Sequence, residues 1–364
     1  MNFEPGVRRG TRPLGWPGRK IRSTKDFVAR SGIGVIVNPL SRKHREAPAL
    51  GGRLREVLNG AGVVAEAGTP GALEAAARDF QRAGIDVLAV SGGDGTASFV
   101  LTAFERAYGD EPLPKVALLR GGTMNTVANG LGVPRGAPEK LLTRLVQRHS
   151  RGEGLDSSAR VTLRVRASTP VPVDPPATPS PNGSRDESRL GFLFGLGLGY
   201  GFLEEYYRRG DPHPTPADAA KTLAHLSASI VTRGRTAKRV AAKVPISIVA
   251  DGRPWTTRDY MTILAGTVPE VGLGFRPFFR MEEGVDAFHL VGVHGPAPKI
   301  VARLPNVRAG KPLGADCAEE ALLERATLSC PKGGVVRYFL DGDLFQAEGD
   351  LEVEVGPRIR FVAG

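Results

Sequence analysis

Leu88-Ala89-Val90-Ser91-Gly92-Gly93-Asp94-Gly95-Thr96 decides how the chain is read. A short apolar run ends in two glycines, an aspartate, a third glycine and a threonine. Apolar residues then recur at Phe99, Val100, Ala103 and Phe104. The pattern predicts a strand, a turn and a helix. Glycines without a Cβ let backbone approach a ligand closely. The turn points free N–H groups and the positive end of a helix at an anion. Asp94 would repel a phosphate there unless a divalent cation or a transferable proton stands between them. The local chemistry therefore points to a nucleotide phosphate, to Mg²⁺, and to proton or phosphoryl transfer. The plainer alternative is a glycine turn closed by a helix-capping aspartate.

Outward from this stretch the same texture repeats. Residues 34–39 form a buried-type strand stopped at Asn38-Pro39 and followed by Ser41, Arg42 and Lys43, where hydroxyl, amide and charge can meet a phosphate. Residues 50–58 read as a helix, 63–67 as a strand ending before Thr69-Pro70, 72–81 as an alanine-rich helix and 85–90 as the third strand. A fourth strand, 115–119, runs into a second glycine turn, Arg120-Gly121-Gly122-Thr123-Met124-Asn125. Strand and helix alternate on short links, so a parallel α/β sheet is expected. Ligands of such sheets lie beyond the carboxyl ends of the strands. Asn38, Thr69, Gly92–Thr96 and Gly121–Asn125 share that rim, and their convergence favours a nucleotide cleft over a set of plain turns.

Residues 139–149 read as an amphipathic helix. From residue 157 the texture changes to alternation in 159–167, a Pro/Ser/Asp/Asn-rich stretch over 168–188 expected to be a disordered insertion, and a series of strands that reaches 359–362. Between these strands a helix is read over 217–233 and a short one over 298–303. The last strands can pack back on the first unit.

The 364 residues suffice for two cores. The net charge is +11, and residues 1–30 form a basic arm with eight Lys/Arg against two Asp/Glu. That balance suits anionic partners, among them an acidic membrane surface. No apolar run reaches a membrane span, and no signal core follows the basic start, so a cytoplasmic protein is expected. Cys317 and Cys330 lack metal or disulfide spacing.

Four blocks carry a resemblance to a known family: Val35-Ile36-Val37-Asn38-Pro39-Leu40-Ser41, Gly92-Gly93-Asp94-Gly95-Thr96, Gly122-Thr123-Met124-Asn125 and Leu340-Asp341-Gly342-Asp343. In this order and spacing the chain, from about residue 32 onward, resembles the diacylglycerol kinase catalytic family, which includes bacterial lipid kinases and sphingosine kinases. The resemblance implies a Rossmann-like parallel α/β domain over 31–150 that binds ATP, and a mainly antiparallel, β-sandwich-like domain over 151–364 that holds a lipid. By the same resemblance Asn38, Ser41, Thr69, Gly92, Gly93, Asp94, Gly95, Thr96, Ala97, Ser98, Gly122, Thr123 and Asn125 line the ATP site. Asp94 serves the metal or the reacting hydroxyl, Asp341 is the general base, and Asp343 stands where glutamate is usual. Glu283 and Asp286 match a Mg²⁺ loop.

The chain departs from the family pattern at Arg42, Ser98-Phe99, Arg120 and Thr126. The implied activity is an ATP- and Mg²⁺-dependent lipid kinase acting on diacylglycerol or a related long-chain alcohol, peripherally at an anionic inner membrane surface. A homo-oligomer is left open and nucleic acid is not expected. Phe192, Phe194, Tyr200, Phe202, Phe278 and Phe279 are candidates for an acyl slot, or for ordinary core. Two rival readings stand beside this one: a soluble small-molecule kinase resembling NAD kinase, and a nucleotide-binding regulatory module with weakened catalysis, motivated by Phe99 and Thr126.

Overall fold

The computed structural model describes residues 32–171, 188–209, 215–232, 234, 236, 240, 242–284, 286–331 and 334–362. The basic arm over 1–30 and most of the 168–188 insertion lie outside the described residues.

The first half alternates as its periodicity dictates. Strand β1 (Ile33–Val37) is buried at every position, as a strand covered on both faces must be. It leads through α1 (Arg42–Glu46) and α2 (Leu50–Leu58) to β2 (Gly62–Glu66). Helix α3 (Pro70–Ala83) starts at Thr69, whose hydroxyl accepts from the Ala72 N–H, with Pro70 in the first turn. Its buried Leu73, Ala76, Ala77 and Phe80 recur at helical spacing. Phe80 meets Phe104 of α4 (Asp94–Tyr108) edge to face at 6.0 Å. Strand β3 (Val87–Ser91) precedes α4, and β4 (Lys115–Leu118), α5 (Thr126–Gly130) and α6 (Pro138–Ser150) follow it. All four strands pair in parallel in the order β2-β1-β3-β4. The order reverses between β1 and β3, and such a switch point opens a crevice at the strands' carboxyl ends.

The second half is antiparallel. It comprises β5 (Ser157–Val171), β6 (Arg189–Gly191), β7 (Leu193–Gly197), α7 (Leu198–Arg209), α8 (Pro216–Val231), β8 (Val244–Pro245), β9 (Ser247–Ala250), β10 (Arg253–Pro254), β11 (Asp259–Tyr260), β12 (Thr262–Gly266), β13 (Phe288–Val293), α9 (Ala297–Arg308), β14 (Ala318–Leu323), β15 (Arg325–Ser329), β16 (Val335–Leu340) and β17 (Asp343–Val362). Strands β14-β13-β12-β7-β16-β17 run side by side, and the far end of β17 joins β4 in parallel at Phe361↔Val116. Parallel and antiparallel halves thus form one mixed sheet. No helix among the described residues is long and apolar enough to cross a membrane.

Three elements differ from the sequence reading. Residues 351–355 and 359–362 belong to one strand, because Gly349 and the Gly356-Pro357 pair fall at bulges in the β17–β5 ladder rather than ending it. The short helix read over 298–303 runs on to Arg308 across Pro305. Proline removes one backbone donor there, and burial of Ile300 and Val307 holds the helix together beyond it. Residues 321–329 are two strands, β14 and β15, rather than one.

Candidate active site

A cavity of about 810 Å³ opens at the switch point and extends into the antiparallel half. Its polar end is built by three turns. The first is Asn38–Ser41 after β1. Asn38 Nδ2 donates to Thr96 Oγ1 (2.9 Å), and Asn38 Oδ1 accepts from the Leu40 N–H (2.9 Å). Asn38 therefore fixes its own turn and the glycine loop together. Ser41, Arg42 and Arg45 line the wall beside it. Ser41 Oγ and Arg42 Nε are buried and have no hydrogen-bond partner among the described residues, so the turn offers two donors to an anion.

The second turn is Gly92–Thr96, and the third is Gly121–Asn125. They touch: a Cβ on Gly122 would lie 2.3 Å from the Gly93 α-carbon. Asp94 locks them. Its Oδ2 accepts from the Thr126 N–H (2.8 Å) and its Oδ1 from the Val127 N–H (3.0 Å), at the start of α5. Burial pushes the Asp94 carboxyl above the usual carboxylate range, against the pull of those amides and of Arg120. Arg120 in turn donates to the Val133 carbonyl (2.8 Å) and to Asn129 Oδ1, bracing the loop that carries α5. Asn125 closes the turn on Gly122, its Oδ1 accepting from the Gly122 N–H (3.2 Å). Below, His44 Nε2 meets Ser91 Oγ at 2.8 Å, and the Lys43 N–H donates to the Gly121 carbonyl.

The late Asp-Gly-Asp block arrives from the other half of the sheet. Asp341-Gly342 is the two-residue loop of the β16–β17 hairpin, with φ of +50° and +92°. Two positive φ values mark the turn type that matches strand twist, which Asp-Gly favours. The Asp341 carboxylate folds back onto the break between β6 and β7. Its Oδ1 accepts from the N–H groups of Phe192 (3.0 Å) and Leu193 (2.9 Å). Burial pushes its pKa well up; the Phe192 amide opposes this, and the charges of Asp94 and Asp343 reinforce it. Asp94, Asp341 and Asp343 thus meet in one hollow.

The other end of the cavity is apolar. Leu198, Phe202, Leu203 and Tyr206 of α7, Leu223 of α8 and Ile300, Leu304 and Val307 of α9 face Met261, Leu264, Val291 and Val293 of the sheet region. Of the six aromatic residues proposed for an acyl slot, Phe202 alone lines it. Phe192, Phe194 and Phe278 are fully buried core residues.

Asn38, Ser41, Thr69, Gly93, Asp94, Gly95, Thr96, Gly122, Thr123, Asp341 and Asp343 all border the cavity, whereas Gly92, Ala97, Ser98 and Asn125 support it from behind. Ser98 donates to the Leu190 carbonyl. Phe99 stands in the wall, with the Arg189 guanidinium 5.6 Å from its ring centroid. Glu283 and Asp286 do not join this cluster: Glu283 pairs with Arg280 (2.9 Å) and Asp286 with Arg358. Neither lines the cavity. Among the described residues, no group of three or more His, Cys, Asp or Glu is arranged as a metal site. The cleft carboxylates do fit a hard cation that arrives on a nucleotide, because Mg²⁺ takes one or two carboxylates plus phosphate oxygens rather than a protein cage.

Sequence reading missed Tyr207, Arg45 and, Phe202 apart, the residues of the apolar chamber wall. Tyr207 OH donates to the Gly342 carbonyl at 2.9 Å.

The glycine loops, their order on the sheet and their shared cleft are now all placed. Residues 32–154 match the diacylglycerol kinase catalytic domain. The resemblance drawn from the motifs holds over that span. Solved structures give the same fold: a provisionally assigned diacylglycerol kinase of Bacillus anthracis str. Sterne superposes with a TM-score of 0.61 at 15% identity, covering 92% of this chain and 97% of that one. A second such structure, from the same organism and also provisionally assigned, gives 0.56 at 15%, covering 92% and 98%. A third, described as a diacylglycerol kinase from that strain, gives 0.54 at 14%, covering 92% and 97%. No curated protein matches the chain. Within the matched domain lie all the glycine-loop residues and Asp94, and outside it lie Asp341, Asp343 and the apolar chamber.

Proposed function

We propose that the chain is an ATP-dependent lipid kinase that transfers the γ-phosphoryl group to the hydroxyl of diacylglycerol or a related long-chain lipid alcohol. The observation that carries this reading is the two-ended cavity, with glycine loops and three aspartates at one end and an apolar chamber walled by α7, α8 and α9 at the other. A soluble acceptor such as a dinucleotide needs no such chamber. The kinase-type domain implies ATP as co-substrate.

In this reading residues 31–150 hold ATP and residues 151–364 hold the acceptor. The amides of Gly93–Thr96, the side chains of Asn38, Ser41, Thr69 and Thr123, and the charge of Arg42 hold the triphosphate against the strand ends. A lipid hydroxyl is a poor nucleophile near neutral pH and must lose its proton as its oxygen attacks the γ-phosphorus. Asp341 takes that proton; its raised pKa makes it a stronger base than an ordinary carboxylate. The bond to the β–γ bridging oxygen breaks and ADP leaves. Asp94 and Asp343 would hold Mg²⁺ brought by the nucleotide, which would neutralise phosphate charge. The chamber takes the aliphatic tail, and the basic chain with its net charge of +11 favours an anionic bilayer surface.

The test is purified protein with Mg²⁺, labelled ATP and a panel of lipid alcohols in mixed micelles, against soluble acceptors that include NAD. Labelled lipid phosphate is the expected product. Labelled soluble product, or ATP binding without turnover on any lipid, would sink the reading.

A further inference from the structure

One residue on the cavity wall touches both ends of it. Helix α7 presents Leu198, Phe202, Leu203 and Tyr206 to the apolar chamber, and in its last turn Tyr207 reaches the acidic hairpin. The Tyr207 hydroxyl donates to the Gly342 carbonyl at 2.9 Å. That carbonyl belongs to the loop that carries Asp341 and leads into Asp343. A two-residue hairpin loop satisfies few of its own polar groups, and its carbonyls ordinarily bond to water. Here a rigid side chain from another element holds one of them.

The hairpin has other anchors. The Asp341 N–H donates to the Leu193 carbonyl at 2.8 Å, and the Asp341 carboxylate accepts from Phe192 and Leu193. These fix the Asp341 side of the turn. Asp343, which rests on Gly95, lies on the other side. Tyr207 is the tie that reaches the turn from α7.

We propose that Tyr207 is a positioning residue for phosphoryl transfer: it fixes the Asp341–Asp343 hairpin against the glycine loop through the Gly342 carbonyl. Its hydroxyl serves as a donor at every accessible pH, because burial and the neighbouring charges of Asp343 and Asp94 push its pKa far up. Tyr207 is 38% exposed, and its ring forms part of the cavity surface. No sequence motif marks this residue, since it stands 135 positions before the carbonyl it holds. Misplacing a reacting group slightly costs rate rather than affinity.

This inference rests on the lipid-kinase reading, and the experiment separates the two. Steady-state kinetics of wild type and Tyr207→Phe are measured with ATP and diacylglycerol in mixed micelles, with thermal unfolding alongside. Wild type without lipid phosphorylation defeats the kinase reading itself. With active wild type, Tyr207→Phe is expected to lower kcat about three- to tenfold, the range for one lost neutral hydrogen bond, and to leave KM for ATP and the unfolding temperature unchanged. In a double-mutant cycle with Asp343→Asn the two losses are expected to be non-additive, because Tyr207 acts through the turn that carries Asp343. An unchanged kcat, or losses that multiply independently, overturns the inference. Should Tyr207→Phe unfold, Tyr207→Leu, which also lacks the donor, is put through the same cycle.

Discussion

The carboxylate of Asp343 rests on the α-carbon of Gly95: a Cβ added there would lie 2.1 Å from Asp343 Oδ2 and 2.9 Å from its Cγ. Residues from the two ends of the chain therefore meet without room for a methyl group. Gly95→Ala must move the Asp343 carboxylate off the glycine loop, at a cost of up to about 1–3 kcal/mol for an overpacked contact. We expect a lower unfolding temperature and loss of most lipid phosphorylation, measured by calorimetry and labelled-ATP turnover. Full activity in this variant would show that the contact is dispensable.

Asp94 has a structural load as well as a proposed chemical one. Its two oxygens accept from the first amides of α5. Asp94→Ala leaves both donors buried without their acceptor, a cost of about 1–2 kcal/mol by analogy with a lost helix cap. Asp94→Asn keeps one acceptor and is expected to be the more stable variant while losing turnover equally. Denaturant midpoints of the two variants check the order.

Asp341 carries a pKa raised in the folded state by burial first and by Asp94 and Asp343 next. A carboxyl with a raised folded pKa binds more protons folded than unfolded. Its contribution to stability is therefore greatest at low pH, and it declines as pH rises from about 4 through the folded pKa. Asp341→Asn removes that ionisation. The unfolding temperature of the variant relative to wild type is expected to rise steadily with pH above 4, while activity falls to background. A difference that stays flat with pH would contradict the assignment.

His289 on β13 is fully buried, and neither ring nitrogen has a hydrogen-bond partner among the described residues. Burial first, then the charge of Arg280, lowers its pKa to about 4 from 6.5, with Glu283 opposing. The unfolded chain takes up a proton below pH 6.5 and the folded one does not until about 4. Stability is thus complete above 6.5 and is lost as pH falls through that window, by about 3 kcal/mol. His289→Met lacks this term. Its stability relative to wild type should improve as pH drops from 8 to 4, as read by urea unfolding at each pH.

Leu223 of α8 projects into the apolar chamber. Leu223→Trp fills part of it, and a longer acceptor chain suffers more than a short one. We expect KM for a long-chain lipid alcohol to rise several-fold with KM for ATP unchanged. Equal changes for both substrates would argue against the chamber as the acceptor site.

Much of the parallel half was legible because its signals are local. The buried run over β3, the glycines after it and the apolar spacing of α4 lie within twenty residues of one another, and strand–helix alternation with short links leaves few sheet orders to choose from. The antiparallel half was less legible. Gly349 and Gly356-Pro357 look like strand ends, yet the partner strand β5 carries the ladder across both bulges. Pro305 looks like a helix stop, yet buried neighbours carry α9 past it. Asp286 pairs with Arg358, 72 residues on, a partner that no local pattern announces. Phe192, Phe194 and Phe278 are as apolar as the chamber wall, and which face of a sheet or helix looks into a cavity is not written in composition.

What the amino-acid order determined by itself is the set of turns: a glycine or an Asn-Pro following a buried strand can only make a tight, amide-rich loop, because backbone sterics act between neighbours. What tertiary structure alone decided is which turns share a cavity. Asp341 reaches the amide of Phe192 across 149 residues, Tyr207 finds the Gly342 carbonyl, and Asp343 settles on Gly95, through the pairing of β16 and β17 with the rest of the sheet. Those contacts follow from strand order and register, which are set by how the whole apolar surface is buried and not by any one segment.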